Sequence, residues 1–270
     1  MSLNLDPEFI KKIERLIAEG KGQGSGCNYK PWLDVRSFPS HGLVSRVHGW
    51  TINRLYTLFS GAESKFFYVL DWSQNVVDIR EQFPLLPIQH TLDIAERLGI
   101  RHPMDVKTKW PFVMTTDFLV DFRTHDGIVR KARSVKKSKA ALSGRRMIEK
   151  MEIERLYWKE NGVEWGITTE DDLPLILAKN VEKIHGYIDL SDYPVAAKDR
   201  LDQIEQALLL RIPNSLLPLA TDCLDVDEHL GIDSGSCLCL VKHFIAIRKW
   251  VIDMNVPFDP ANPLALLTTN

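Results

Sequence analysis

The sequence predicts an α/β protein in which a mixed β-sheet is flanked by helices and followed by a mostly helical region. Two observations support this prediction. Helical and strand-like periodicities alternate along residues 1–170, whereas helical patterns separated by short breaks predominate from residue 171 onward. The charge changes at the same point, from an excess of basic residues to an excess of acidic ones.

The elements of the first region follow from local patterns. Residues 6–18 alternate charged residues with Ile and Leu at helical spacing and predict a helix. Residues 60–72 predict a second helix, because Ser60 is a favourable N-cap and Glu63 completes a Ser-x-x-Glu capping box. The remaining predicted elements are two short strands within 41–59, a strand over 75–87, a helix over 91–100, a hairpin of 112–122 and 128–136, a helix over 143–162 and a strand over 163–169.

The second region reads as helices interrupted by "DLSDYP" and "RIPNSLLP". One helix is expected before a turn at Gly231, and another from about Ser234 to Lys249. A short hairpin after Trp250 would complete the outline of a helix-turn-helix or winged-helix unit. We therefore predict one domain over 1–170 and a helical, winged-helix-like interaction domain over 171–270.

The net charge of −2 conceals an uneven distribution. Residues 171–270 hold 8 Lys and Arg against 15 Asp and Glu, so residues 1–170 hold the other 26 basic and 21 acidic side chains. Between Arg123 and Lys150, ten basic residues stand against two acids. This bias indicates a polyanionic partner for the first region and a protein partner for the second. On charge alone, a solvated basic face is the simpler explanation.

The composition is that of an ordinary globular protein, 44% hydrophobic and 26% charged. No apolar run is long enough for a membrane helix and the charged amino terminus is unlike a signal peptide, so we expect a cytoplasmic protein. The four cysteines do not follow a secreted disulfide pattern. Cys237 and Cys239 invite a zinc interpretation, but residues two apart on a helix point in nearly opposite directions, and buried apolar cysteines are favoured.

The stretch "TTDFLVDF" places a carboxylate, Asp117, inside an apolar strand. Regular alternation puts Thr116 and Phe118 on one face of this strand and Asp117 on the other. A partly buried, ionised carboxylate is unfavourable unless it finds a cation, a metal or hydrogen bonds. Lys136 lies on the next strand, where hairpin pairing would bring it close to Asp117.

An Asp followed by x-x-Lys on the adjacent strand is the layout of restriction-type nucleases. In that layout Asp117 binds Mg²⁺, and Ser134 with the backbone carbonyl of Val135 completes the shell of oxygen ligands. Lys136 orients or activates the attacking water. This pattern is not specific by itself, and an ordinary Asp–Lys pair on a β-surface is favoured without further support.

Two further acids bear on this choice. Glu63 lies on the apolar stripe of its helix, where the capping box alone explains it, although a helix terminus can also present a carboxylate to a metal. Glu154 shares a helical face with Met151 and Trp158, so an acid again interrupts an apolar stripe. Two explanations are open for an acid at this position. Glu154 pairs with an arginine, or it lies beside the metal site.

Several longer segments match one family. The most specific are "DIREQFPL" and "TDFLVD" at their observed spacing, and the others are "EGKGQG" with "YKPWL", "LFSGAE", "SVKK" and "IEKMEIERLYW". On these segments, which lie within residues 13–170, the chain resembles the TnsA family, the endonuclease subunit of heteromeric cut-and-paste transposases. From residue 171 onward the similarity lies in the general pattern of helices and breaks more than in individual residues.

The resemblance implies a restriction-endonuclease-like fold and hydrolysis of one DNA strand at the 5′ ends of a transposon, with Mg²⁺ as cofactor and Mn²⁺ as its substitute. The implied partners are double-stranded transposon-end DNA, a DDE-type transposase subunit and, through the carboxy-terminal domain, an AAA+ ATPase regulator. No membrane partner is implied, and the location is that of a bacterial, nucleoid-associated protein.

The family's functional residues map onto this chain individually. Glu63 matches the helix carboxylate, Asp117 the central metal ligand and Lys136 the catalytic lysine. Glu154 matches a nearby second acid. The basic region would bind phosphates without reading sequence. The candidate DNA-binding residues are Arg130, Lys131, Arg133, Lys137, Lys139, Arg145 and Arg146.

One residue departs from the family pattern, which has a Gln metal ligand where this chain has Ser134. A serine hydroxyl can bind a metal directly or through a water, and the Val135 carbonyl still serves. The departure supports one alternative, a catalytically inactive DNA-binding scaffold that bridges the transposase and the ATPase. We favour the nuclease interpretation, since the other matching residues are present.

Overall fold

The computed structural model describes residues 5–34, 44–191 and 200–267. The chain divides into two units, Met1–Leu173 and Pro174–Asn270. Parts of three predictions lie outside the described residues. These parts are residues 1–4 of the charged amino terminus, 41–43 of the first predicted strand pair and 192–194 of the break at "DLSDYP".

The first unit alternates helices and strands in the predicted order. The observed ends differ from the predicted ones by a few residues, which is the usual uncertainty of boundaries read from a sequence. The elements in chain order are α1 (Pro7–Ala18), β1 (Ser45–His48), β2 (Leu55–Leu58), α2 (Gly61–Trp72), β3 (Val76–Pro84), α3 (Ile88–Leu98), β4 (Thr115–Thr124), β5 (Gly127–Lys136), α4 (Arg145–Glu160) and β6 (Glu164–Thr169).

The main sheet has four strands in the order β3-β4-β5-β6. The first three are antiparallel neighbours, and β6 joins β5 in parallel after the crossover through α4. β1 and β2 form a separate antiparallel pair. The predicted mixed sheet flanked by helices is therefore confirmed, as is the hairpin of β4 and β5.

Helices cover both faces of this sheet, which explains why the middle of β4, residues 118–120, is apolar on consecutive residues. On one face Leu119 and Ala132 pack in a cluster with Ile153 of α4. On the other face Phe118 meets Phe66 of α2 edge to face, with the ring centroids 5.3 Å apart. The start of β4 is thereby held between α2 and α4.

The regular alternation of β4 is interrupted at Asp117. The Thr116 hydroxyl donates to Glu154 of α4 (2.8 Å), whereas Phe118 packs against α2. The prediction that Thr116 and Phe118 share a face is therefore wrong. Among the described strands, Asp117 has no partner in the register of β4 with either neighbour. Irregularities of this kind re-aim side chains and are common beside active sites.

The second unit is helical, as predicted. Its helices are α5 (Leu175–His185), α6 (Leu201–Arg211), α7 (Leu219–Leu230) and α8 (Ser236–Ala246). α7 ends at Gly231, whose left-handed backbone forms the C-cap. The Asp227 carboxylate accepts hydrogen bonds from the backbone N–H groups of Gly235 (2.7 Å) and Cys237 (2.9 Å), which fixes the start of α8 against α7.

The hairpin predicted after Trp250 is not formed, since residues 251–267 contain no strand. Prolines at 257, 260 and 263 remove backbone donors that a strand pair would need. Asp253 and Asp259 instead accept bonds from backbone N–H groups two residues later, which favours turns. A single backbone bond from Leu267 to Val251 (2.8 Å) closes this segment.

The cysteines of the second unit are packing residues in this structure. Cys223 and Cys237 are buried, and burial is the main cause that raises their thiol pKa values, to about 12 for Cys223. Within the described ranges, no three His, Cys, Asp or Glu side chains are grouped so that they alone could hold a metal ion. None of the helices in those ranges is long and apolar enough to span a bilayer.

Candidate active site

Asp117 and Lys136 meet where β4 begins and β5 ends. The Asp117 Oδ2 accepts hydrogen bonds from the Lys136 Nζ (3.0 Å) and from the backbone N–H of Val135 (2.7 Å). The Lys136 Nζ also donates to the Val135 carbonyl oxygen (2.9 Å). The hairpin thus brings together the carboxylate and the lysine that the sequence analysis singled out.

The charges of this pair are matched. Burial of Lys136 is the largest single influence and disfavours its ammonium form, but the Asp117, Glu154 and Glu63 carboxylates together outweigh burial, so the lysine pKa is raised. The Asp117 Oδ1 accepts no hydrogen bond from the described residues, although Asp117 lines a cavity of about 690 Å³ together with Ser134, Lys136 and Glu154. One carboxylate oxygen therefore retains its full capacity to bind a cation.

Glu63 lies at the amino terminus of α2 and makes the local contacts of a cap. Its backbone N–H donates to the Ser60 hydroxyl (3.2 Å), which in turn donates to the Glu63 Oε1 (2.9 Å). The backbone N–H of Phe59 donates to the Glu63 Oε2 (3.0 Å). These bonds fix the carboxylate. The predicted Ser60 cap is present, but the Glu63 carboxylate accepts from the Phe59 N–H and the Ser60 hydroxyl rather than from the Ser60 N–H of a regular capping box.

The surroundings of Glu63 also connect it to the Asp117–Lys136 pair. Burial raises its pKa to about 7, the negative charge of Asp117 adds to this increase, and Lys136 partly opposes it. Among the described residues Glu63 makes no direct hydrogen bond to Asp117. Glu63 and Asp117 therefore interact through their charges alone. The two acids have one ammonium group nearby, that of Lys136.

Gln82 was not among the predicted site residues. Its Nε2 donates to the Glu63 Oε2 (3.3 Å), and its Oε1 accepts from the Thr115 hydroxyl (3.3 Å). Gln82 belongs to the segment "DIREQFPL", which carried the family resemblance, but nothing in the local sequence pattern assigns it a role. Only the packing of β3 beside α2 and β4 reveals the contact.

Ser134 and Glu154 form a second buried polar group. The Ser134 hydroxyl lies 3.1 and 3.0 Å from the two Glu154 carboxylate oxygens, and Thr116 and Trp165 donate to Oε1 (2.8 and 2.9 Å). Burial is the largest cause that raises the Glu154 pKa to about 7, and the charge of Asp117 adds to it. In this structure the Ser134 hydroxyl is therefore directed at Glu154.

We expect the substitution Glu154→Gln to reduce the pH dependence of stability. A carboxyl group whose pKa rises from 4.5 to about 7 on folding binds more protons in the folded state, so it lowers stability as pH rises through that window. In a glutamine, Oε1 can still accept from Thr116 and Trp165, while Nε2 can donate to Ser134. Urea unfolding in the presence of a chelator should show the variant more stable than wild type by about 1–3 kcal/mol at pH of about 8.

The control for this measurement is Glu149→Gln on the same helix, because Arg146 and Arg145 lower the Glu149 pKa. That variant should not become more stable at high pH. An unchanged pH slope in Glu154→Gln would show that Glu154 does not titrate in this window.

Most predicted DNA-binding residues have acidic partners in this structure. Arg130 binds Asp121 through two hydrogen bonds (2.7 and 2.9 Å), and Lys131 and Arg133 both pair with Glu164. The pairs at the start of α4 are Arg145 and Arg146 with Glu149. Lys137 and Lys139 are exposed. Lys137, the lysine next to Lys136, therefore faces solvent.

The oxygen groups at this site suit a small, hard cation. Mg²⁺ commonly keeps several waters and takes one or two protein carboxylates, so the absence of a third acid in reach does not disfavour it. Glu63 and Asp117 supply carboxylate oxygens, and the Val135 carbonyl accepts a hydrogen bond from the same Lys136 Nζ that binds Asp117. A cation here would also offset the repulsion that raises the Glu63 pKa. The residues present therefore fit Mg²⁺.

A carboxylate and a lysine on adjacent strands of a mixed sheet, beside a second carboxylate at a helix terminus, are typical of metal-dependent nucleases. Comparison with known proteins agrees with an endonuclease. The family profile "TnsA-like endonuclease N terminal" matches residues 73–170, and "TnsA endonuclease C terminal" matches residues 172–254. The chain belongs to the TnsA family.

A characterised relative is the transposon Tn7 transposition protein TnsA of Escherichia coli. The two sequences are 41% identical over 174 residues. The aligned part spans 64% of this chain and 62% of the relative's length.

Proposed function

We propose that this protein is a Mg²⁺-dependent DNA endonuclease of a transposase complex. It hydrolyses the strand at the 5′ ends of the transposon during cut-and-paste transposition. The observation that carries the proposal is the contact of Asp117 with Lys136 beside the buried Glu63, in a chain of the TnsA family.

In the proposed site Glu63, Asp117 and the Val135 carbonyl hold Mg²⁺, with Mn²⁺ as a substitute, and Ser134 contributes through its hydroxyl or a water. When bound, the cation stabilises the negative charge that develops on the phosphate during hydrolysis. The free Oδ1 of Asp117 is the oxygen best placed to bind it, because Oδ2 already accepts two hydrogen bonds.

Lys136 acts as a charged hydrogen-bond donor. Where no cation is bound, the neighbouring carboxylates raise its pKa and favour the charged ammonium form. Asp117 and the Val135 carbonyl hold the Nζ in place. From this position Lys136 orients the attacking water and balances negative charge on the phosphate. Glu154 remains a second acid that supports the site through Ser134.

Basic residues near the site bind the DNA phosphates without reading sequence. Lys137 and Lys139 are the strongest candidates because both are exposed close to Lys136. Arg130, Lys131 and Arg133 bind DNA only in competition with their acidic partners on β4 and β6. The choice of cleavage site then depends on a partner protein rather than on base contacts of this chain.

The proposed partners are double-stranded transposon-end DNA, a DDE-type transposase subunit and an AAA+ ATPase regulator that binds the helical second unit. The acidic balance of residues 171–270 favours a protein partner for that unit. The protein acts in the bacterial cytoplasm, in association with the nucleoid.

A second candidate function is a catalytically inactive scaffold that binds DNA and bridges the transposase and the ATPase. It is favoured by one observation, the engagement of the Ser134 hydroxyl by Glu154, which directs this side chain at a carboxylate rather than at a metal. The scaffold would bind transposon ends but would not cut them.

A strand-specific cleavage assay distinguishes the two functions. Transposon-end DNA, labelled on each strand in turn, is incubated with the full chain and the transposase in Mg²⁺, in Mn²⁺ and in excess chelator. We expect cuts at the 5′ ends with either cation, complete loss in chelator because the charge on the phosphate is no longer offset, and recovery when Mg²⁺ is restored. An intact 5′ strand under all conditions, with DNA binding retained, would establish the scaffold instead.

A further inference from the structure

Gln82 has an unusual backbone for its position. It lies inside β3 with φ of +49°, in the left-handed region that side chains other than glycine rarely adopt. The flanking residues pair regularly with β4, Glu81 with Phe118 and Phe83 with Thr116. Gln82 is therefore level with Asp117, at the point where the regular alternation of β4 is interrupted.

The side chain of Gln82 is fixed at both ends of its amide. It is 4% exposed, its Nε2 donates to the Glu63 Oε2 and its Oε1 accepts from the Thr115 hydroxyl, each at 3.3 Å. In the ionised form that binds a cation, the Glu63 carboxylate only accepts hydrogen bonds, so the NH₂ group of the amide must face it. Gln82 thus connects the helix that carries Glu63 with the strand that carries Asp117.

The backbone around Gln82 is held from outside the sheet as well. Its carbonyl oxygen accepts a hydrogen bond from the backbone N–H of Trp32 (3.3 Å). The preceding Glu81 is fully buried and bound by Arg54. A strained conformation persists where its surroundings determine it, and such residues cluster at functional sites. Here the strain coincides with an amide aimed at a candidate metal ligand.

We propose that Gln82 is a positioning residue, which holds the Glu63 carboxylate in the orientation that binds a divalent cation. This inference rests on the proposed function, because it assigns Gln82 to the same cation site. Partners of this kind, which contact a ligand rather than the metal, typically change metal affinity by roughly 10- to 100-fold when removed. A glutamine with a purely structural role would not affect cation binding.

The substitution Gln82→Gly separates these roles. Glycine adopts positive φ without strain, which opposes the loss of the buried amide and its two hydrogen bonds, so the melting temperature without metal should stay close to that of wild type. The amide is lost, so Mn²⁺ affinity, measured by titration calorimetry on the full chain without DNA, should fall roughly 10- to 100-fold. Cleavage with the transposase should fall at low Mn²⁺ and recover largely at saturating Mn²⁺.

The matched control is Lys109→Gly, since Lys109 also has a positive φ (+61°) but makes no contact with Glu63 among the described residues. It should leave Mn²⁺ affinity unchanged. If Gln82→Gly lowers stability, Thr115→Val provides a second test, because it removes the bond to the Gln82 Oε1 and leaves the β3 backbone intact. That variant should show a smaller loss of Mn²⁺ affinity at a normal melting temperature.

Failure of this inference can be told apart from failure of the proposed function. Wild-type Mn²⁺ affinity in both Gln82→Gly and Thr115→Val would overturn the role of Gln82, even if Asp117→Asn abolishes cleavage. If the wild-type chain does not cleave with the transposase but Gln82→Gly still loses Mn²⁺ affinity, the cation role of Gln82 stands and the nuclease function fails.

Discussion

Replacing Asp117 with asparagine should abolish cleavage of the 5′ strand while leaving the fold intact. The asparagine Oδ1 can accept both hydrogen bonds that Asp117 now accepts, from Val135 and Lys136, so the hairpin keeps its geometry. The Nδ2 would then replace the oxygen that faces the cavity, and an amide NH₂ group does not bind a divalent cation. We expect the cleavage rate with the transposase to fall by at least about a hundredfold.

Asp126→Asn is the matched control, because Asp126 is exposed at the turn between β4 and β5. It makes the same chemical change on the same hairpin and should leave cleavage unchanged. Melting temperatures of both variants should be close to that of wild type. Cleavage by Asp117→Asn at the wild-type rate would exclude Asp117 as a metal ligand and with it the proposed site.

Replacing Arg54 with methionine should destabilise the first unit by about 3–5 kcal/mol. The Arg54 guanidinium binds both carboxylate oxygens of Glu81, and Glu81 is fully buried. It also packs over the Tyr56 ring, 3.7 Å from the centroid. A methionine fills similar space but leaves the Glu81 carboxylate buried without a cation, which is the unfavourable outcome for a broken buried ion pair.

The double variant Arg54→Met with Glu81→Leu should recover most of this loss, because a buried ion pair and an apolar pair of similar volume often have similar stability. The Ile79 carbonyl, which Arg54 also binds, keeps its hydrogen bond from the Tyr56 hydroxyl (3.3 Å). Arg145→Met serves as the surface control, since the Arg145 side chain is 94% exposed in its pair with Glu149.

Free energies of unfolding from urea titration decide this prediction. If Arg54→Met were as stable as Arg145→Met, Glu81 would have to be protonated or solvated in the folded protein. The result also matters for function, because Glu81 precedes Gln82 in β3. Loss of the Arg54 contact should therefore weaken the support of the Glu63 carboxylate along with the fold.

Local pattern was sufficient for much of this structure. Helical spacing and the Ser60 cap predicted α2, and the apolar runs around "RTHDG" predicted the β4–β5 hairpin. The hairpin in turn placed Lys136 against Asp117, because residues on adjacent antiparallel strands meet at short sequence distance. Features that depend on residues close together in the chain could therefore be predicted from the sequence.

Two predictions from local pattern failed for different reasons. The hairpin predicted after Trp250 overlooked signals within the segment itself, its prolines and the Asx turns. The alternation of β4 was interrupted at Asp117, where distant segments pack on both sides of the strand. The orientation of Ser134 also required the structure, because its partner Glu154 lies on α4, 20 residues away. The family resemblance identified Ser134 as a departure but could not show where its hydroxyl points.

The sequence by itself determined the order of helices and strands and the helical character of the second unit, which follow from periodicity, capping and composition acting over a few residues. The acids and the lysine of the candidate site were predicted through the resemblance to the TnsA family, because the local patterns alone also allowed simpler explanations for each of them. Only the tertiary structure decided that Gln82 contacts Glu63, that Arg54 neutralises Glu81 and that Ser134 contacts Glu154. Each of these contacts joins residues from different helices, strands or loops. A buried polar group needs a hydrogen-bonding partner, but the sequence does not show which distant residue supplies it.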